Sequence, residues 1–110
     1  MQRFSLDSQV NELLERASTA SSGRSATTVY GGQEQVLRQV VLALAAGSCL
    51  AEHDNPGDAT VLVLRGHVRL VSGEAFWEAR AGELIVVPQA RHRLEATEDS
   101  AVLLSIAKRT

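Results

Sequence analysis

The chain has 110 residues, of which 45% are hydrophobic and 22% charged, so it forms one globular domain and is too short for a multidomain enzyme. The chain has 11 Lys and Arg residues and 13 Asp and Glu residues. The resulting net charge of -2 does not indicate a nucleic-acid partner. The single cysteine, Cys49, cannot close a disulfide within the chain, which is typical of the reducing cytoplasm. No apolar stretch approaches the ~20 residues that cross a bilayer, so we expect no membrane contact.

The N-terminal segment has the pattern of a short amphipathic helix, with Asp7 or Ser8 as its N-cap. Its apolar residues recur at helical spacing: Leu6, Val10, Leu13, Leu14 and Ala17. Residues 21–28 read SSGRSATT, a composition typical of a loop. We therefore divide the chain into an N-terminal helix and linker, residues 1–28, and a body, residues 29–110.

The body consists of short apolar runs separated by turn signals, which indicates an all-β sandwich or barrel. Residues 61–64, 83–87 and 101–106 are too short for stable helices and rich in branched side chains, so we predict strands there. Residues 33–46 also fit one face of a helix, and periodicity alone leaves both structures open.

Two of these runs, 61–64 and 101–106, have apolar side chains on both faces of the strand. One face can fill the interior of a small barrel, and the other then needs a second sheet or a partner subunit to cover it. We therefore predict a homodimer, because a lone small barrel would leave that second face as an exposed apolar patch.

Two glycine-led blocks stand out in the body: GSCLAEHDNPGDATVLVLRG, residues 47–66, and GELIVVPQARHRLEA, residues 82–96. They resemble the two sequence motifs of the cupin family. The first cupin motif runs Gly, five residues, His-x-His, three or four residues, Glu, six residues, Gly; Gly47, His53 and Gly66 are in register with it. The second runs Gly, five residues, Pro-x-Gly, two residues, His, three residues, Asn, and Gly82 and Pro88 match it.

The resemblance implies an all-β fold, the cupin double-stranded β-helix or jelly-roll barrel, preceded by the short helix. It also favours a strand over residues 36–45, because such a barrel needs a strand that leads into Gly47. Many proteins with these motifs are metal-dependent enzymes of the dioxygenase, isomerase or decarboxylase type, so the resemblance implies a metal site as well.

This chain departs from the motifs at two ligand positions. Asn55 stands where the first motif has its second His, and Ala59 stands where it has Glu. A tightly held ion normally has three or four protein ligands, and Asn is a weak one. We therefore expect no certain cofactor, and at most weak binding of a divalent metal (Zn, Fe, Ni, Mn or Cu) by His53 and His92.

Alternation along the strand decides which residue of the second motif faces the interior. Strict motif spacing selects Arg93, whereas His92 requires a turn one residue shorter. If His92 faces inward, Leu94 and Ala96 follow it and the charged Arg93 and Glu95 face solvent; the other register buries two charges. We therefore predict that His92 faces inward.

The same test applies to the first motif. It places His53 inward together with Cys49 and Ala51, and it places Ala59 inward with Asp58 outside. Cys49 is then interpreted as a small buried hydrophobe and not as a reactive thiol.

These assignments predict a pocket at the barrel mouth, where His53, Asn55 and His92 are the ligand-binding groups among apolar walls. We expect a protein that binds a small molecule there, without an assigned catalytic residue. The alternative is a metal-dependent cupin enzyme, which Asn55 and Ala59 disfavour. Trp77 is expected to cover the edge of the core and is left outside the site. The sequence does not identify the ligand.

Overall fold

A computed structural model describes residues 2–54 and 57–108. The described residues form one helix and nine strands: α1 Leu6–Thr19, β1 Arg24–Tyr30, β2 Leu37–Leu44, β3 Cys49–His53, β4 Gly57–Arg65, β5 His67–Ser72, β6 Ala75–Arg80, β7 Leu84–Val86, β8 His92–Ala96 and β9 Ser100–Lys108. Antiparallel pairing arranges the strands in a five-stranded sheet, ordered β1-β2-β9-β4-β7, and a four-stranded sheet, ordered β3-β8-β5-β6. None of the described residues belongs to a helix with the length and apolar character that a membrane span requires.

The main core lies between the two sheets. It is built from aliphatic side chains that alternate along the strands, and its members include Leu42, Leu44, Val61, Val63, Val68, Leu70, Ile85, Leu94 and Val102. The predicted all-β jelly roll is confirmed, although the two sheets keep separate hydrogen-bonded ladders and do not close into a continuous barrel. The prediction of a strand over residues 36–45 is also confirmed, because β2 spans Leu37–Leu44.

The backbone requires glycine at both ends of the first glycine-led block. Gly47 has φ 84° and Gly66 has φ 87°, a left-handed region that other residues rarely adopt. A Cβ at Gly66 would also collide with the backbone carbonyl of Asp99. The sharp turns that these glycines make set where β3 and β5 begin.

Helix α1 begins earlier than the sequence indicated. The N-cap is Ser5, whose Oγ accepts a hydrogen bond from the backbone N–H of Ser8 at 3.3 Å, so the assignment of the cap to Asp7 or Ser8 is wrong. Asp7 instead lies in the first turn, where a carboxylate stabilises the positive end of the helix dipole. The predicted apolar face is correct, and Val10, Leu13 and Ala17 are buried.

The loop predicted for residues 21–28 is wrong for residues 24–28, which belong to β1. This strand is at the edge of its sheet and pairs with β2 from Arg24 opposite Leu44 to Tyr30 opposite Gln39. An edge strand gains its backbone hydrogen bonds from one neighbour, and β-branched threonines suit the pleated backbone. Thr27 and Thr28 therefore form a strand without an apolar run.

Helix α1 covers part of the outer face of the five-stranded sheet. Val41, Ala43 and Ala101 pack with Val10 and Leu13 in a second core cluster. The outward apolar residues of β9 therefore find a partner within the chain, and the reason given above for a homodimer does not hold for this part of the face.

The part of this face over β4 and β7 is less covered. Leu84 is 57% exposed and Val86 is 75% exposed, and Leu62, which pairs with Leu84, is half-buried. We call Leu62, Leu84 and Val86 the β4–β7 patch. The homodimer stays a prediction, and this patch is where an apolar contact would form.

Candidate functional site

A small cavity opens between the two sheets, beside the end of β3 and the start of β8. Its volume is about 40 Å³, and since one water needs roughly 10–15 Å³ on this scale, it holds about three waters or the end of a small ligand. Two imidazoles, His53 and His92, line it. The other walls are mainly aliphatic: Leu50, Ala59, Val61, Leu70, Val87, Leu94, Leu104 and Ile106.

His92 is held by a regular strand. It is 5% exposed, and Leu94 and Ala96 are buried on the same face of β8, whereas Arg93 and Glu95 face outward. The prediction that His92 faces inward is therefore confirmed. Its Nδ1 lies 2.9 Å from the carbonyl oxygen of Ala90, so the ring is anchored to the backbone just before the strand.

His53 reaches the same cavity through a β-bulge. Leu50 pairs with Leu94 and His53 pairs with His92, so β3 has two residues where β8 has one. The extra residue shifts the alternation of side chains by one position. As a result Leu50 and His53, which are three residues apart, both line the cavity.

Two predictions about β3 are wrong because of the bulge. Cys49 and Ala51 were expected to face inward with His53, but both are exposed, and the interpretation of Cys49 as a buried hydrophobe is wrong. Cys49 pairs with the outward-facing Glu95. A period-two pattern cannot reveal an extra residue, and the available signal was Leu50, which strict alternation would have turned toward solvent.

The two rings contact each other. Their centroids are 4.5 Å apart, and their planes are inclined by 64° in an edge-to-face arrangement. Nδ1 of His53 lies 2.9 Å from the carbonyl oxygen of Ala51, as Nδ1 of His92 does from that of Ala90. A carbonyl oxygen only accepts, so Nδ1 of each ring is the donor, and in the neutral ring Nε2 keeps a free lone pair.

Of the other predicted positions, Ala59 lies on the cavity wall and Asp58 is exposed on the opposite face of β4, as alternation predicted. Asn55 lies outside the described residues. Within the described ranges no three His, Cys, Asp or Glu side chains are grouped to hold a metal ion. The described part of the site thus offers two imidazoles, fewer than the three or four protein ligands of a tightly held ion.

An ion pair joins β3 to the residue that precedes β8. Nε of Arg91 lies 2.7 Å from Oε1 of Glu52, and Nη1 of Arg91 lies 3.9 Å from Oδ1 of Asp54. The hydrogen bond to Glu52 and the charges of both carboxylates raise the pKa of Arg91 above its ordinary value. Sequence reasoning missed this contact, which connects the residue before His92 with the residues that flank His53.

The outer face of the four-stranded sheet is polar and separate from the cavity. Glu95 accepts hydrogen bonds from Arg93 at 2.9 Å and from Arg69 at 3.3 Å, and these contacts hold the pKa of Glu95 below its ordinary value. Arg69 also lies over the ring of Phe76, 4.7 Å from its centroid. Trp77, on edge strand β6, is partly exposed and does not line the cavity.

Neither a protein-family model nor a curated protein matches this chain. Solved structures do match. One is a conserved protein of unknown function from Streptococcus pyogenes, 28% identical over 83% of this chain and 79% of that one, with a TM-score of 0.73. An RmlC-like cupin protein from Desulfovibrio desulfuricans is 27% identical, covering 76% of this chain and 81% of that one, with a TM-score of 0.67.

A cupin 2 conserved barrel domain protein from Salinispora arenicola matches over 96% of this chain and 87% of its own, with 18% identity and a TM-score of 0.69. The chain has the cupin fold. The resemblance inferred from the two glycine-led blocks is therefore confirmed. The first block supplies β3 and β4 and the second supplies β7 and β8, so each block contributes one strand to each sheet.

Proposed function

We propose that this cupin-fold protein binds a small molecule in the cavity between His53 and His92. The observation that supports the proposal most is the composition of that cavity, which the buried ring of His92 and the more exposed ring of His53 line together with aliphatic side chains. A few convergent polar groups in an apolar cleft are typical of small-molecule sites. Asn55 is retained as a third ligand-binding group from its place in the motif.

A metal-dependent cupin enzyme is the second candidate. One observation favours it: a metal-bound histidine usually donates its other ring N–H to a carbonyl or carboxylate, and both Nδ1 atoms are placed to donate to backbone carbonyls. His53 and His92 would then be the protein ligands, and solvent would complete a weak site. It ranks second because Ala59 occupies the position of the family's carboxylate ligand.

The binding proposal is tested by an NMR titration of histidine-labelled protein, purified without an affinity tag or chelator and checked for metal content. The probes are molecules of four to six heavy atoms, such as 1-butanol, and the signals are the Cε1–H protons of the three histidines. We expect His53 and His92 to shift along one saturation curve and His67, on the outer face, to stay still. If no probe moves either cavity ring, the proposal is wrong.

Two matched variants locate the binding. Ala59→Leu extends a cavity wall, so we expect probe affinity to fall by about tenfold, the effect of overpacking by roughly 1–3 kcal/mol. Ala107→Leu adds the same atoms beyond Ile106 on the outer face, and affinity should not change. Equal loss of affinity in both variants would contradict a site in this cavity.

We also propose that two copies associate through the β4–β7 patch, and that the protein works in the cytoplasm, the second point resting on its unpaired Cys49 alone. Val86→Asp places a charge in the patch, so we expect the sedimentation coefficient to change from that of a dimer to that of a monomer. Glu83→Gln, at the exposed residue that precedes β7, is the control. A monomer in the parent protein would contradict the proposal.

A further inference from the structure

We infer that the ligand of the His53–His92 cavity presents a hydrogen-bond donor, an O–H or N–H group, on a short apolar body, and that it is not a carboxylate. The inference rests on the proposed binding function. It adds a chemical class that neither the fold nor the sequence motifs specify.

The first step is the hydrogen-bonding capacity of the two rings. Nδ1 of each ring already serves a backbone carbonyl, at 2.9 Å in both cases, and a carbonyl can only accept. A neutral ring that donates from Nδ1 has acceptor capacity left, at Nε2, and no further donor. A ligand head that donates satisfies one or both atoms, whereas a head that only accepts satisfies neither.

The second step is the lack of a competing donor among the described lining residues. These lining residues are aliphatic apart from His53, His92 and Thr60. Thr60 pairs with Val86 and Ser105, and since paired residues share a face, its hydroxyl belongs to the outer side of the sheet. Among the described lining residues an anionic head therefore meets no donor, and entry into an apolar cavity without one is costly.

The third step is the charge carried by the chain neighbours of the two histidines. Glu52 and Asp54 supply two carboxylates against the one guanidinium of Arg91, which both contact. These three side chains together therefore carry one net negative charge. Asp54 is exposed and the effect is screened by salt, but its sign opposes the approach of an anion and does not oppose a neutral or cationic head.

The fourth step is size. A cavity of about 40 Å³ that holds about three waters also accepts a polar atom with a chain of roughly three carbons. Branched aliphatic walls give such a chain contact along its length. These dimensions favour a short alcohol or amine.

The test compares three probes with similar skeletons at pH 8: 1-butanol, its isomer 1-methoxypropane, which lacks a donor, and butanoate. We expect 1-butanol to bind about tenfold more tightly than the ether, the effect of one hydrogen bond, and butanoate to bind more weakly than both. The readout is the same pair of His53 and His92 ring signals, with His67 as the internal reference.

A variant ties the preference to the imidazoles. In His53→Phe one acceptor is gone, so the tenfold preference for 1-butanol over the ether should shrink, while His67→Phe should leave it unchanged. If the ether or butanoate binds as tightly as 1-butanol to the parent protein, the donor inference is overturned and the binding function stands. If none of the three probes binds, the binding function itself is contradicted.

Discussion

The strands β8 and β3 position the two cavity histidines by different means. β8 lies inside its sheet, between β3 and β5, and its alternating side chains bury His92, Leu94 and Ala96 in the core. β3 is an edge strand in which four of five residues are exposed, and His53 reaches the cavity only because of a bulge. His92 is therefore held by core packing, whereas His53 is held by local backbone geometry.

This difference implies that the two halves of the site respond separately to change. Core packing is coupled to global stability, whereas a bulge on an edge strand can be altered while the rest of the sheet persists. The contact of Arg91 with Glu52 connects β3, beside the bulge, to the residue before β8.

The largest expected effect separates core from edge. Leu94→Ala removes a buried side chain beside His92, so we expect the free energy of unfolding to fall by about 2–5 kcal/mol. Leu50 pairs directly with Leu94 but is only half-buried, so Leu50→Ala should lower the free energy of unfolding clearly less. Urea denaturation measures both, and an equal or larger loss in Leu50→Ala would mean that β3 belongs to the core as fully as β8 does.

A carboxylate added to the cavity wall should form a metal site together with His53 and His92. Ala59→Glu places a third potential ligand on the wall shared by His53 and His92, so we expect affinity for Zn²⁺ or Ni²⁺ to rise by about a hundredfold. Adding Asn55→His, at the motif position of the second histidine, should raise it further. Calorimetric titration gives the affinities, with Ala107→Glu on the outer face as the control, and equal binding by both glutamate variants would show that the rings and residue 59 do not share a site.

Removal of the bulge should affect only the part of the site that β3 supplies. Deletion of Ala51 restores plain alternation, which turns either Leu50 or His53 out of the cavity, so we expect probe affinity to fall by about tenfold. The His92 signal should still respond to the probe, and the loss of stability should be smaller than in Leu94→Ala. Ala51→Gly keeps the residue count and is the matched control. Unchanged affinity in the deletion variant would contradict the role of the bulge.

The smallest effect concerns the outer face of β8. Arg93 and Arg69 lower the pKa of Glu95 in the folded protein, so the carboxylate stabilises the fold above its unfolded pKa, and this contribution is lost as the pH falls through the lowered value. Because the pair is partly exposed, Glu95→Gln should cost less than about 1 kcal/mol at pH 7. The free energies of unfolding of the parent and the variant should become equal in acid. A difference that persists there would mean that the variant loses packing and not an ionic contact.

The comparison of the strands also shows how far the sequence could predict this molecule. Period-two alternation placed His92, Leu94 and Ala59 correctly, because burial of a charge on the wrong face is costly enough to fix the register. The same reasoning failed at Cys49 and Ala51, because the energy of an inserted residue depends on the partner strand. Strand β1 was missed for a related reason: its stability comes from hydrogen bonds to β2 and not from its own apolar content.

The most direct test of the account is a nuclear Overhauser spectrum of the histidine rings in the ligand-free protein. Edge-to-face rings with centroids 4.5 Å apart should give a cross-peak between ring protons of His53 and His92, and neither ring should show one to His67. The absence of the cross-peak between His53 and His92 would mean that the bulge does not bring His53 to the cavity, and the shared site would be contradicted.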